Sequence, residues 1–343
     1  MRHGLDSINE RNRNDEAFSA ADVQPYIDYF DRHGEPNDRL LAYYLLGRAY
    51  HEQGEAPMAL QCYQQAIECA DTLSADCDFA QLSRVYGQMG EVFYYQGLFH
   101  EQLDVLNTSI NYAWKGKDTL AAIMNYETLS QTYQKLSMSD SMQTVSENAY
   151  KLYTQYGYYD YAASSLGNSF RVLIKNKEFQ KTKEYMHIYE TKSGFFDSLG
   201  TIEHGREIYY NIKGYYYIGI GKNDSAEYFF RKELHDGKDF NNQNAGAFGL
   251  AELFTLLHRP DSAAKYYQYA YAMNDSMYAQ MTTSEVERMQ AMYDYTRHQE
   301  TARKAEQKAE QAKTGIVVSK SGLKHRFVKI HDLAVKAEGK TDE

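Results

Sequence analysis

The chain has 343 residues and a formal charge of −10, with 33 tyrosines, 4 prolines and 3 cysteines. No apolar run approaches the roughly 20 residues a membrane-spanning helix needs, and none precedes the polar start as a leader would require. Cys62, Cys69 and Cys77, at spacings of 7 and 8, form neither a metal quartet nor a redox pair, so they read as buried or idle thiols.

In chain order, residues 1–18 are polar and expected to fray. Asp22 to His33 predicts a helix with Val23, Ile27 and Phe30 on one face, Pro25 in its first turn and Gly34 just beyond its end. Residues 1–38 thus read as a disordered start followed by a capping helix.

Residues 39–275 repeat themselves. Around Gly47 stand Tyr43, Tyr50, Gly54, Ala59 and Tyr63, at offsets −4, +3, +7, +12 and +16. The frame recurs at Gly90 with Tyr86, Phe93, Gly97 and Leu106, and at Ser130 with Tyr126, Tyr133, Met142 and Ala149. It returns at Gly214 with Tyr210, Tyr217, Gly221, Ala226 and Phe230, and at Ala251 with Ala247, Phe254, Ala263, Tyr267 and Ala270. A weaker copy lies at Gly167, with Phe170, Tyr185 and Ile188. Small residues let two helices of a hairpin approach; Tyr50, Phe93, Tyr133, Tyr217 and Phe254 are expected to fill the space between hairpins. Asp140-Ser141, Asp224-Ser225 and Asp261-Ser262 are expected to cap the second helices.

This frame resembles the tetratricopeptide repeat, W-x2-L-G-x2-Y…A-x3-F…P, with tyrosine in place of tryptophan and no closing proline. Landmark spacings of 43, 40, 37, 47 and 37 exceed the usual length of about 34. The resemblance implies an all-α fold, an α-α superhelix of about six helix hairpins with a long C-terminal helix. It is similar, more narrowly, to bacterial envelope-associated, tyrosine-rich arrays that run into a long helix. In that group a membrane span, a coiled coil or a DNA-binding end often follows. The sequence by itself suggests the cytoplasm, and the resemblance the cell envelope.

In such repeats the inner, concave face is lined mainly by first-helix positions. Carried over by register, these are Tyr44, Arg48, His51, Glu91, Tyr94, Tyr95, Glu127, Gln131 and Gln134, then Asn168, Arg171, Asn211 and Tyr215. The set suits a protein or an extended peptide, whose backbone needs hydrogen bonds and whose side chains need pockets. Tyr44 and Arg48 stand where chaperone-binding members carry lysine and asparagine, which disfavours a chaperone C-terminus. The expected function is therefore a non-enzymatic docking scaffold. Its alternative is a peptide-responsive signalling or transcription regulator.

Residues 276–313 hold no glycine or proline and predict one long helix, with Glu300 and Lys304 paired. It would leave the chain a monomer or a weak dimer. Residues 314–343 form a basic tail, expected to be mobile, with contact to nucleic acid or an anionic surface as its alternative. Gly219-Ile220-Gly221-Lys222-Asn223 lacks the first glycine and the Ser or Thr of a phosphate loop, and reads as a hairpin turn. No catalytic, metal or cofactor motif is present, so no cofactor is expected.

Overall fold

The structure, a computed structural model, describes residues 1–279; the expected long helix beyond residue 279 and the basic tail lie outside the described residues. Two helices, α1 (Arg2–Arg13) and α2 (Ala20–His33), precede six hairpins. These are α3 (Pro36–Glu52) with α4 (Ala56–Cys69), α5 (Phe79–Tyr95) with α6 (Phe99–Lys115), and α7 (Thr119–Lys135) with α8 (Ser139–Gln155). In the fourth, the first helix is broken into α9 (Tyr159–Ser165), a 3-10 turn (Leu166–Ser169) and α10 (Phe170–Lys175), and pairs with α11 (Phe179–Lys192). Then come α12 (Ile208–Gly219) with α13 (Asn223–Asp236), and α14 (Phe240–Leu256) with α15 (Pro260–Ala279). Among the described residues there is no strand, and no helix is long and apolar enough to cross a membrane.

One turn recurs six times. At offset +7 the backbone is left-handed, at Gly54, Gly97, Ser137, Lys177, Gly221 and His258, with φ between 56° and 77°. The next N–H reaches back to the carbonyl at offset +3, as Glu55 does to Tyr50, Lys222 to Tyr217 and Arg259 to Phe254, each at 2.9 Å. This is the hydrogen-bond pattern of a Schellman ending, which satisfies carbonyls the first helix leaves open. Gly221 is thus the turn residue that the sequence suggested.

The turns fix the register. In the other five hairpins the left-handed residue of this turn lies seven after the landmark, so Lys177 places the fourth landmark at Phe170 and not Gly167. Offsets +12, +16 and +19 then face inward in the second helices. At +12 stand Ala59, Gln102, Met142, Thr182, Ala226 and Ala263, all buried. At +19 stand Ala66, Ser109, Ala149, Tyr189, Glu233 and Ala270, also buried. Between-hairpin packing follows the expectation for Phe93 and Phe254, which are buried, while Tyr50, Tyr133 and Tyr217 keep one side in solvent.

The Asp-Ser pairs do not cap. Asp140, Asp224 and Asp261 lie one residue inside their helices, where a carboxylate favours the positive end of the helix dipole but accepts no capping bond. The capping aspartates are those of first helices: Asp78, Asp118 and Asp239 accept the N–H of Gln81, Ala121 and Asn242 at 2.8, 3.1 and 3.0 Å. The cysteines are free thiols, and burial pushes Cys62 up to about 12.

The expected frayed start is instead a docked helix. Leu5 and Ile8 bury one face of α1, and Arg2 pairs with Asp38 of α3. Two apolar residues one turn apart suffice because α2 and α3 already present a surface. The α2 helix itself is as expected, with Val23, Ile27 and Phe30 buried and a Ser19–Asp22 capping box. Leu5→Ala should cost about 2–3 kcal/mol of this docking. Amide exchange should then quicken in α1 while that of α14 stays unchanged; equal protection of α1 in both forms would contradict the placement.

Candidate functional site

First helices pack on one another where α3 meets α5, α10 meets α12 and α12 meets α14, and α5 and α7 share the lining of one cavity, so together they make one wall of the array. At offset +1 this wall carries Arg48, Glu91, Gln131, Arg171, Tyr215 and Glu252, one residue from each hairpin. The corrected register moves Arg171 into this row and Asn168 out of it.

Three cavities open along the wall. The largest, about 740 Å³, includes Tyr44, Arg84, Glu91, Tyr94, Tyr95 and Gln131 in its lining, and Arg13 of α1 borders it. Tyr95 is 72% exposed and meets Tyr94 edge-on, with ring centres 5.7 Å apart. Tyr94 in turn packs edge-on to Phe99 at 5.9 Å, and Lys135 lies 5.7 Å over its ring. Tyr44 shows only an edge: it is 5% exposed and packs against Tyr63.

Arg48 is engaged rather than free. Its guanidinium donates to Asn12 of α1 at 3.1 Å, to Gln88 of the next hairpin at 2.6 Å and to Glu52 at 2.7 Å. His51 is half-buried, and its Nδ1 has no partner among the described residues.

The second cavity, about 380 Å³, brings Glu127, Gln131 and Asn168 together over Phe170, Tyr189, Tyr209 and Ile212. Glu127 accepts from the Tyr153 hydroxyl at 2.8 Å and the Asn168 amide at 3.0 Å. Burial raises its carboxyl above the ordinary range, opposed by those two donors. One side of the cavity comes from the link between α11 and α12. There Phe196 bridges to Ile202, Ile202 donates its N–H to the Tyr210 hydroxyl at 3.0 Å, and the Arg206 guanidinium stacks 3.6 Å from the Phe195 ring centre.

The third cavity, about 240 Å³, is walled by Arg171, Ile174, Lys175, Ile212 and Tyr215. Tyr215 donates to Glu252 at 2.6 Å, and burial together with that carboxylate holds its phenol well above the usual range.

Four expected residues line none of the three cavities: Arg48 and His51, described above, and Asn211 and Gln134. Asn211 is buried, 3% exposed, and its amide donates to the Ala245 carbonyl at 2.9 Å, tying α12 to α14. Offset −3 turns toward the following hairpin here, not toward solvent. Gln134 is exposed and lines none of these three cavities. Arg13, Arg84, Lys175, Phe195 and Arg206 were not anticipated. Arg84 and Lys175 were within reach of the repeat register, whereas Phe195 and Arg206 belong to an insertion that no periodicity marks.

No protein-family model and no curated protein matches the sequence. Among solved structures, the chain is similar to the apo form of RapI, with a TM-score of 0.58 at 10% identity over 81% of this chain and 98% of that one. It is also similar to aspartyl phosphate phosphatase F from Bacillus subtilis, with a TM-score of 0.53 at 10% identity over 79% of this chain and 68% of that one. These likenesses are of fold, and the fold is the tetratricopeptide-like, all-α repeat array that the sequence resembles.

Proposed function

We propose that the chain is a non-enzymatic docking scaffold that takes an extended peptide segment of a protein along its first-helix wall. The row of six offset +1 residues carries this reading, and four of them, Glu91, Gln131, Arg171 and Tyr215, line the three cavities. It offers alternating charged, amide and phenolic groups at intervals set by the hairpins. An extended backbone needs such donors and acceptors, and its side chains need the pockets between them. Glu127 supports positioning rather than chemistry, since its oxygens are already occupied by Tyr153 and Asn168.

The test uses two exposed residues, Tyr95, which meets Tyr94 by a ring edge, and Gln131. In a random displayed-peptide selection, enriched peptides should bind the native chain. Tyr95→Ala combined with Gln131→Ala should weaken them about tenfold, the loss of one or two modest contacts. The melting temperature should not move. Equal binding by both forms would place the ligand elsewhere.

One observation favours the regulatory reading as well. Arg48 lies in the row and also holds Asn12 of α1, so a ligand that takes Arg48 competes with the N-terminal helix. Peptide binding should then speed amide exchange in α1.

A further inference from the structure

The second and third cavities share Ile212 and are therefore neighbours. Their linings differ. The second has aromatic walls, from Phe170, Tyr189, Phe195 and Tyr209. The third holds two cations, Arg171 and Lys175, one turn apart on α10. Both are exposed, and among the described residues neither forms an ion pair. Like charges at this spacing disfavour each other, a cost that an anion between them would turn into a gain. The pair stands out further because the whole chain is acidic, at −10.

We propose that the α10–α12 cavity is a carboxylate subsite, and that the aromatic cavity beside it takes a large apolar side chain of the same ligand. The inference rests on the groove reading and specifies its ligand. Alternate residues of an extended strand point to the same side, so the recognised peptide carries an apolar residue and an acid two positions apart. The carboxylate is that of Asp or Glu, or of a chain terminus. The chain's own residues 301–343 do not supply the complement, since they hold 10 Lys and Arg against 6 Asp and Glu. Arg206, which also lines the aromatic cavity, is already paired with Glu203 at 3.1 Å and stacked on Phe195, so the preference for an acid rests on Arg171 and Lys175.

The experiment is fluorescence anisotropy of the full chain with four labelled octapeptide pools. Three have a fixed Phe-x-Glu, Phe-x-Gln or Phe-x-Lys core and amidated ends; the fourth has Phe-x at a free C-terminus. The Glu pool should bind about tenfold tighter than the Gln pool and tighter still than the Lys pool, the scale of one charge-assisted contact. A strong fourth pool identifies the terminal carboxylate as the source. Lys175→Glu should abolish or invert the preference, and Arg171→Gln should reduce it, with melting unchanged in at least the first. Equal binding of the charged and neutral pools, or a preference that survives both substitutions, overturns the subsite while leaving the groove. Binding of no pool overturns the groove reading along with it. Displacement of bound acidic peptide by oligothymidylate at lower concentration than by the peptide itself would make this a nucleic-acid contact and overturn the peptide assignment.

Discussion

Phe230→Ala should lower the stability of the array by about 3–5 kcal/mol, the range for truncating a fully buried aromatic ring. Phe230 is 0% exposed. Its ring lies between two glycines of different helices. A Cβ placed on Gly214 of α12 would come within 2.4 Å of the ring, and one on Gly249 of α14 within 2.3 Å. Tyr215 closes the remaining side edge-on, at 5.2 Å between ring centres. One side chain therefore holds the fifth hairpin shut and fastens the sixth to it. In a repeat array stability is the sum of unit and interface terms, so this single truncation weakens both. The urea midpoint should fall, and the last hairpin should lose exchange protection first. Gly249→Ala by itself should overpack the site and cost about 1–3 kcal/mol. Combined with Phe230→Ala it should cost far less than the sum, because the methyl then enters vacated space. Strict additivity of the two changes would show that ring and glycine do not interlock.

The same logic shows how far the architecture was legible. Gly47 faces Tyr63, Gly90 faces Leu106 and Gly214 faces Phe230 at the shared offset, so a small residue opposite a large one announces the first, second and fifth hairpins. In the fourth hairpin the pairing is displaced. Tyr189 occupies offset +19, a position that is Ala66, Ala149 or Ala270 elsewhere. Relief comes from Gly167, one turn earlier, where a Cβ would lie 3.2 Å from the tyrosine ring. The glycine was visible in the sequence and drew the landmark three residues off. The turn that would have corrected it is Lys177, left-handed at φ 61° without being glycine.

The wall was legible wherever the register held, hence Glu91, Tyr94, Tyr95 and Gln131. It was not legible where tertiary contacts redirect a side chain, as at Asn211, which α14 captures. Nor was it legible in segments outside the repeat. Phe195 and Arg206 reach the cavity only because the α11–α12 link folds back on Tyr189 and Tyr209.

Stability should fall as pH rises from about 5 to about 8, and Glu233→Gln should remove a large part of that slope. Glu233 sits at offset +19 of the fifth hairpin, where its counterparts are mostly alanine or serine. It is 0% exposed, and neither carboxyl oxygen has a hydrogen-bond partner among the described residues. Burial disfavours the charged form and pushes the carboxyl from 4.5 up to about 9; the nearby Asn211 amide and Arg171 guanidinium pull the other way, and Asp239 adds to the rise. The folded chain thus keeps a proton that the unfolded chain releases above its ordinary value. Where the native state binds more protons, raising the pH favours unfolding. The contribution is fully present below pH 4.5, declines as pH rises, and is spent above about pH 9. The slope is at most about 1.4 kcal/mol per pH unit, or roughly 4 kcal/mol between about pH 5 and about pH 8, less whatever local opening relieves. Glutamine keeps the shape and the neutral state, so its urea midpoint should fall less steeply over that range than that of the native chain. Glu127, also raised by burial, contributes a slope of the same sign, so the difference between the two proteins is the measurement. Parallel midpoint curves for the native chain and Glu233→Gln would mean that Glu233 is ionised in the fold, and that α13 opens enough for water to reach it.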